Sequence, residues 1–290
     1  MEHNMNPDFE IKPFTRIVWR TQEDKDEWND KLGRISMLYN NTEYETLKLG
    51  IRRACTMHID MTNLKTIISK LNNDGLIFTP IAQSAYYEGF SHKHITPQPG
   101  QPSYWYGCVT RNLDDANTFL TASNAQDKGQ ESIHLPIGEL LGFPPCCSET
   151  FTKLWTTGNY DPMFEIAKNT KGMELVETDD AITCKVNIGN NQLQSNSLQS
   201  PLLRYFGIRT ISHFPCSLDC KESERVAKKW IDVMNNIDGE ATEWLKEILC
   251  SIQKWDSRNG VVEVHTPYFL GLTHTYPYLG KRRVIELKEN

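Results

Sequence analysis

LLGFPPCCSETF, residues 140–151, sets two adjacent cysteines directly behind two prolines. ISHFPCSLDC, residues 211–220, repeats the Phe-Pro lead-in and adds Cys216 and Cys220. Proline is favoured at the first helical position, where its missing N–H is no loss. Pro145 therefore predicts that Cys146 and Cys147 lie in the first turn of a helix continuing through SETFTKLW. In the second stretch Ser217 is the expected N-cap, and Asp219 adds negative charge to the first turn. Cys216 then sits just before a helix and Cys220 at its third position. Free N–H groups and the positive end of the helix dipole favour the thiolate, the form that ligates metals and attacks electrophiles.

Four cysteines on two helix starts match the ligand count of a tetrahedral zinc or of an iron–sulfur cluster of the [4Fe–4S] type. Neither spacing is a standard one, since structural zinc knuckles are usually C-x2-C or C-x4-C and these are C-C and C-x3-C. Adjacent side chains must both turn to one point to share a small ion, whereas a cluster gives each thiolate its own iron. The adjacency therefore favours the cluster. A metal-free thiol-redox pair and inert packing are the competing readings. Inert packing is the expected role of Cys55, Cys184 and Cys250, which stand singly in amphipathic or strand patterns, and of Cys108.

The chain has 290 residues, 39% of them hydrophobic, enough for one large domain or two small ones. A formal net charge of −6 argues against a general nucleic-acid or membrane-surface binder. No stretch approaches the roughly 18 consecutive apolar residues of a membrane span, and MEHNMNPDFEIKPF has neither the basic start nor the apolar run of a secretory signal. Eight cysteines without a signal point to a reducing, cytoplasmic setting, where clustered thiols are metal ligands or redox groups.

Along the chain, Phe9–Trp19 alternates as a strand, with Pro13 putting it at a sheet edge. Thr21 caps an acidic-started helix, a second helix is expected from Thr42 through ACTMHI, and a third, TNLKTIISKL, stops at Asn-Asn-Asp-Gly. LIFTPI and YWYGCVT read as strands, and NLDDANTFLTAS as a helix. SHKHITPQPGQPS, residues 91–103, is the clearest loop and the expected boundary between an N-terminal α/β region, 1–95, and a cysteine-bearing core domain, 96–290. ITCKVNI is a strand, LRYFGIRTISHF is strand-like, and two helices, SERVAKKWIDVMNNI and ATEWLKEILCSIQKW, precede the strands GVVEVHTPYFL and KRRVIEL. The fold class is α+β, with mixed helices and short strands and the two cysteine-bearing helix N-termini converging in the core region.

WYGCVTRNLDDANTFL, IGELLGFPPCC, SPLLRYFGIRTISHFPCSLDC and VHTPYF occur in that order over about residues 104–270. This order resembles an uncharacterised family of prokaryotic and viral proteins with a G-[YF]-P-x-C-C helix start and a later H-x-P-C-S-x-x-C-x-x-S turn. His213, Ser217 and Ser223 match the second turn residue by residue. The resemblance implies that the four cysteines act as a set and names no substrate.

His213, three residues before Cys216, is a candidate ligand, thiolate partner or proton carrier. Arg204 and Arg209 can neutralise an anionic substrate or cluster, and His213 with Arg209 is the expected catalytic pair. His92 and His94 form an H-x-H in the Pro-rich loop, and His265 is a weaker site candidate. Nucleotide-loop, zincin and nucleophile-elbow motifs are absent. The expected function is an intracellular enzyme with an iron–sulfur cluster or zinc held by Cys146, Cys147, Cys216 and Cys220, its substrate unknown and a small molecule one option. The alternatives are a binding domain stapled by structural zinc and a metal-free thiol protein.

Overall fold

The computed structural model describes residues 14–85, 96–124, 131–159, 161–187, 197–275 and 280–288. They make an α+β fold of helices and two β-sheets. Contacts group the chain into two units: one runs to Thr42 and resumes at Thr157, and the other is Glu43–Thr156.

The first unit carries a seven-stranded sheet. Its strands are β1 (Thr15–Trp19), β5 (Glu174–Glu177), β6 (Ala181–Asn187), β7 (Lys254–Arg258), β8 (Val261–His265), β9 (Phe269–His274) and β10 (Arg282–Lys288), in the order β1-β9-β8-β7-β10-β6-β5. Every pairing is antiparallel except β10 with β6. β1 is an edge strand, as expected, although residues 9–13 lie outside the described residues. β7 was expected to be the end of a helix. Trp255 pairs with Val264 and Ile285 instead, and burial of its ring to 1% exposure fixes KWDSR as a strand.

Helix α1 (Gln22–Lys48) opens on reciprocal capping: Asp24 N–H donates to Thr21 Oγ1 at 3.0 Å, and Thr21 N–H to Asp24 Oδ2 at 3.1 Å. Trp28, Leu32, Ile35 and Tyr39 recur at helical spacing and enter a core shared with Trp255, Val262, Val264, Phe269 and Ile285. The expected helix start at Thr42 is instead the interior of α1. Thr42 Oγ1 donates to Leu38 O at 2.8 Å, one turn back, so it does not cap. α6 (Met163–Lys168) and α7 (Lys221–Cys250) complete this core. α7 holds the two expected C-terminal helices, joined at Asp238, whose φ/ψ of −157° and 90° break the helical run. Asp238 Oδ1 then accepts from Ala241 N–H at 3.1 Å and restarts the helix.

The second unit carries a three-stranded antiparallel sheet, β2-β4-β3, of β2 (Ala54–Asp60), β3 (Ile77–Ala85) and β4 (Ser103–Thr110). ACTMHID is thus a strand, where the continuation of a helix was expected. α2 (Leu64–Asn73) ends at Gly75, whose φ of +69° suits glycine. α3 (Leu113–Asn124), α4 (Glu131–Leu140) and α5 (Pro145–Thr156) follow β4. The expected domain boundary at residues 95 and 96 falls within the connection between β3 and β4. These neighbours pair from Ile77 with Thr110 to Ala85 with Ser103, so the Pro-rich stretch joins two strands of one sheet. Among the described residues no helix is long and apolar enough to cross a membrane.

Candidate metal centre

The first cysteine turn is built by α4 and α5. Leu141 and Phe143 N–H donate back to Ile137 O and Gly138 O at 3.0 and 2.8 Å, and Gly142 turns the chain with φ +74°. An added Cβ there would meet Arg52 Cβ at 3.0 Å, so the sequence needs glycine for space as well as for conformation. Pro144 O accepts from Cys147 and Ser148 N–H, both at 3.0 Å, and Pro145 opens α5. Cys146 and Cys147 therefore lie in the first turn, as the proline predicts.

The second turn differs from its expected form. Ser217 does not cap, because α7 begins only at Lys221, and the Ser217 Oγ donates to Asp219 Oδ1 at 2.6 Å. Cys220 takes the N-cap position of α7, with extended φ/ψ of −61° and 115°, and its carbonyl accepts the first helical bond, from Glu224 N–H at 3.0 Å. Three residues without a visible sequence signal hold the turn. Asn169 Nδ2 donates to Cys216 O at 3.2 Å, Leu218 N–H donates to Thr170 Oγ1 at 3.0 Å, and Gln199 Nε2 donates to Leu218 O at 2.8 Å. Their sequence neighbourhood is polar throughout, so nothing in it separates these positions from solvated ones.

The Sγ atoms of Cys146, Cys147, Cys216 and Cys220 all lie within 4.8 Å of one another. Cys147 and Cys220 are buried, and Cys146 and Cys216 half-buried. Among the described residues this is the one group of three or more His, Cys, Asp or Glu placed to hold a metal ion. The four-cysteine set read from the sequence is therefore close together and able to bind a metal.

The other thiols are different chemically. Burial pushes Cys55 up to about 12, and Cys108 and Cys184 to about 11, so all three stay protonated as core groups. Cys250, expected on a buried stripe, is exposed near the end of α7.

His213 does not join the sulfur group. It is 4% exposed and hydrogen-bonded through Nε2 to Ser223 Oγ at 2.8 Å, which ties the irregular segment before Cys216 to the first turn of α7. Burial, and next the charge of Arg204, lowers its pKa to about 3, leaving a neutral ring through the physiological range. The expected strand over LRYFGIRTISHF is instead a 3-10 turn, Arg204–Phe206, followed by irregular backbone. Gly207 closes the turn at φ +75°, a left-handed conformation that ends any extended run. Arg204 lies over the Phe214 ring at 3.8 Å and Arg209 over Tyr39 at 4.3 Å. Nearby in the fold, Asp161 accepts from Tyr205 OH at 2.9 Å and from Thr275 Oγ1 at 2.7 Å, and burial raises its carboxyl above the usual range. His265 sits on β8 with Nε2 3.4 Å from Glu263, outside the sulfur group. His92 and His94 lie outside the described residues.

Comparison with known protein families, with curated proteins and with solved structures gives no match. The site itself is what defines the class: an α+β protein with a four-cysteine group able to bind a metal.

Proposed function

We propose that Cys146, Cys147, Cys216 and Cys220 bind a single zinc ion in a closed thiolate site with a structural role. The compactness of the sulfur group carries this reading. Four thiolates around one zinc at Zn–S ~2.3 Å stand ~3.8 Å apart, whereas those of a [4Fe–4S] cluster, each outside its own iron, stand roughly 6 Å apart. A ceiling of 4.8 Å supports the single ion. Four protein ligands also fill the tetrahedron, while catalytic zinc keeps a position for water or substrate.

His213 fits this reading as a positioning residue. A ring bonded to Ser223 orients the start of α7 and stays in its neutral form near neutral pH. Because ligands converge only in the folded chain, metal-binding free energy is folding free energy. Cobalt(II) substitution tests the coordination. Intense thiolate-to-cobalt charge transfer with tetrahedral visible bands, lost in Cys147→Ser, is the expected result. Weak octahedral bands, or protein that is brown as purified without oxygen, would count against it.

A further inference from the structure

The two cysteine turns differ in the bonds open to them. Cys146 and Cys147 are adjacent in the first turn of α5. Among the described residues no peptide bond is cis, and consecutive Cα atoms across a trans peptide stand ~3.8 Å apart. A disulfide spans ~4.4–6.8 Å between Cα atoms, so this pair cannot close one while the helix stands. Cys216 and Cys220 face no such limit. Cys220 N–H donates back to Ser217 O at 3.3 Å, which folds the segment between them into a turn. Their Sγ atoms lie within 4.8 Å of each other.

The second turn is also held by bonds that involve no metal. Asn169 Nδ2 donates to Cys216 O, Leu218 N–H to Thr170 Oγ1, and Gln199 Nε2 to Leu218 O. These bonds keep the two thiols neighbours whether or not an ion is bound. Their exposure differs, since Cys216 is half-buried and Cys220 is buried. An accessible thiolate beside a shielded second thiol is the arrangement of a peroxide-reactive cysteine and its resolving partner. A bound zinc keeps the accessible sulfur in the thiolate form.

We propose, on the basis of the zinc reading, that Cys216 and Cys220 are a redox couple through which hydrogen peroxide releases the zinc. Cys216 Sγ attacks one peroxide oxygen, the O–O bond breaks, and the departing hydroxide takes up a proton as water. Cys220 Sγ then attacks the sulfenic sulfur. The S–O bond breaks, the S–S bond forms, and the second hydroxide takes up a proton as water. Two thiolates are oxidised and one peroxide is reduced. The ion, left with Cys146 and Cys147 alone, dissociates, and a dithiol reductant reverses the disulfide step by exchange. Because the metal-binding free energy is folding free energy, oxidation also loosens the chain.

Hydrogen peroxide titration of the full-length wild-type protein under argon tests it, with metal counted first, released zinc followed by a chromogenic indicator, and thiols mapped after alkylation. Zinc release in step with disulfide formation, one ion for each disulfide, is the expected result. The disulfide should lie within the peptide that contains both Cys216 and Cys220, with Cys146 and Cys147 still alkylated as thiols. Dithiothreitol and added zinc should restore the starting protein. Zinc present at the start but retained in excess peroxide overturns the switch alone. So does a disulfide that includes Cys146 or Cys147, or sulfinic acid in place of a disulfide. Absence of zinc before any peroxide is added overturns the metal reading, and the release step with it.

Discussion

The Sγ atoms of Cys146 and Cys147 stand 3.9 Å apart, close to the ~3.8 Å edge of a thiolate tetrahedron around one zinc. Consecutive residues on a helix diverge by about 100° around its axis, so two neighbours in a first turn span one edge of a small coordination shell. The adjacency that argues for a cluster from sequence alone thus has a mononuclear solution. Proline makes it available, because it opens α5 and places both residues in its first turn.

The thiols should separate by reactivity. In metal-loaded protein near pH 8, a small alkylating reagent should modify Cys250 rapidly and Cys55, Cys108 and Cys184 hardly at all, since the last three are buried and held at about 11 to 12. Chelation should then expose Cys146, Cys147, Cys216 and Cys220. Peptide mapping reads the pattern, and rapid alkylation of these four with metal present would contradict their ligation.

His213 should make stability depend on pH. Its pKa is about 3 in the folded chain, below an unfolded value of about 6.5. The unfolded state therefore binds the extra proton between those values, and stability is full above about pH 6.5 and falls as the pH drops toward 3. Between pH 7 and about pH 5.5 the loss from this group should reach about 1.2 kcal/mol. Urea melts of wild type and His213→Gln at the two pH values isolate it, because acid loss of metal is common to both proteins. Parallel pH dependences would remove His213 from the account.

Much of the framework was legible in the sequence, and the misses share a cause. The Thr21 cap, the Gly75 stop and the Pro145 helix start are local devices, set by residues within one turn of each other, and each stands where the sequence placed it. The strands β2 and β7 were missed because tertiary pairing, Cys55 with Val109 and Trp255 with Ile285, overrides a short ambiguous pattern. The four cysteines were legible as a set from their paired turns. The polar residues that hold the second turn, Asn169, Thr170 and Gln199, act across tens of residues and leave no periodic trace.

Gly207→Ala should destabilise the chain by about 1–2 kcal/mol. The position has φ +75°, where an L side chain is strained. The new Cβ would also stand 2.9 Å from Ser36 Oγ on α1. A shifted urea midpoint at unchanged slope is the expected reading. An unshifted midpoint would mean that the turn before the second cysteine pair does not depend on its left-handed end.

X-ray absorption at the zinc edge, on protein purified without oxygen and with its metals counted, tests the central claim most directly. One zinc per chain with four sulfur neighbours at ~2.3 Å is the predicted result, falling to less than one zinc in Cys216→Ser. Zinc-free protein carrying iron and sulfide in cluster proportions, or a zinc shell dominated by nitrogen and oxygen, would contradict it.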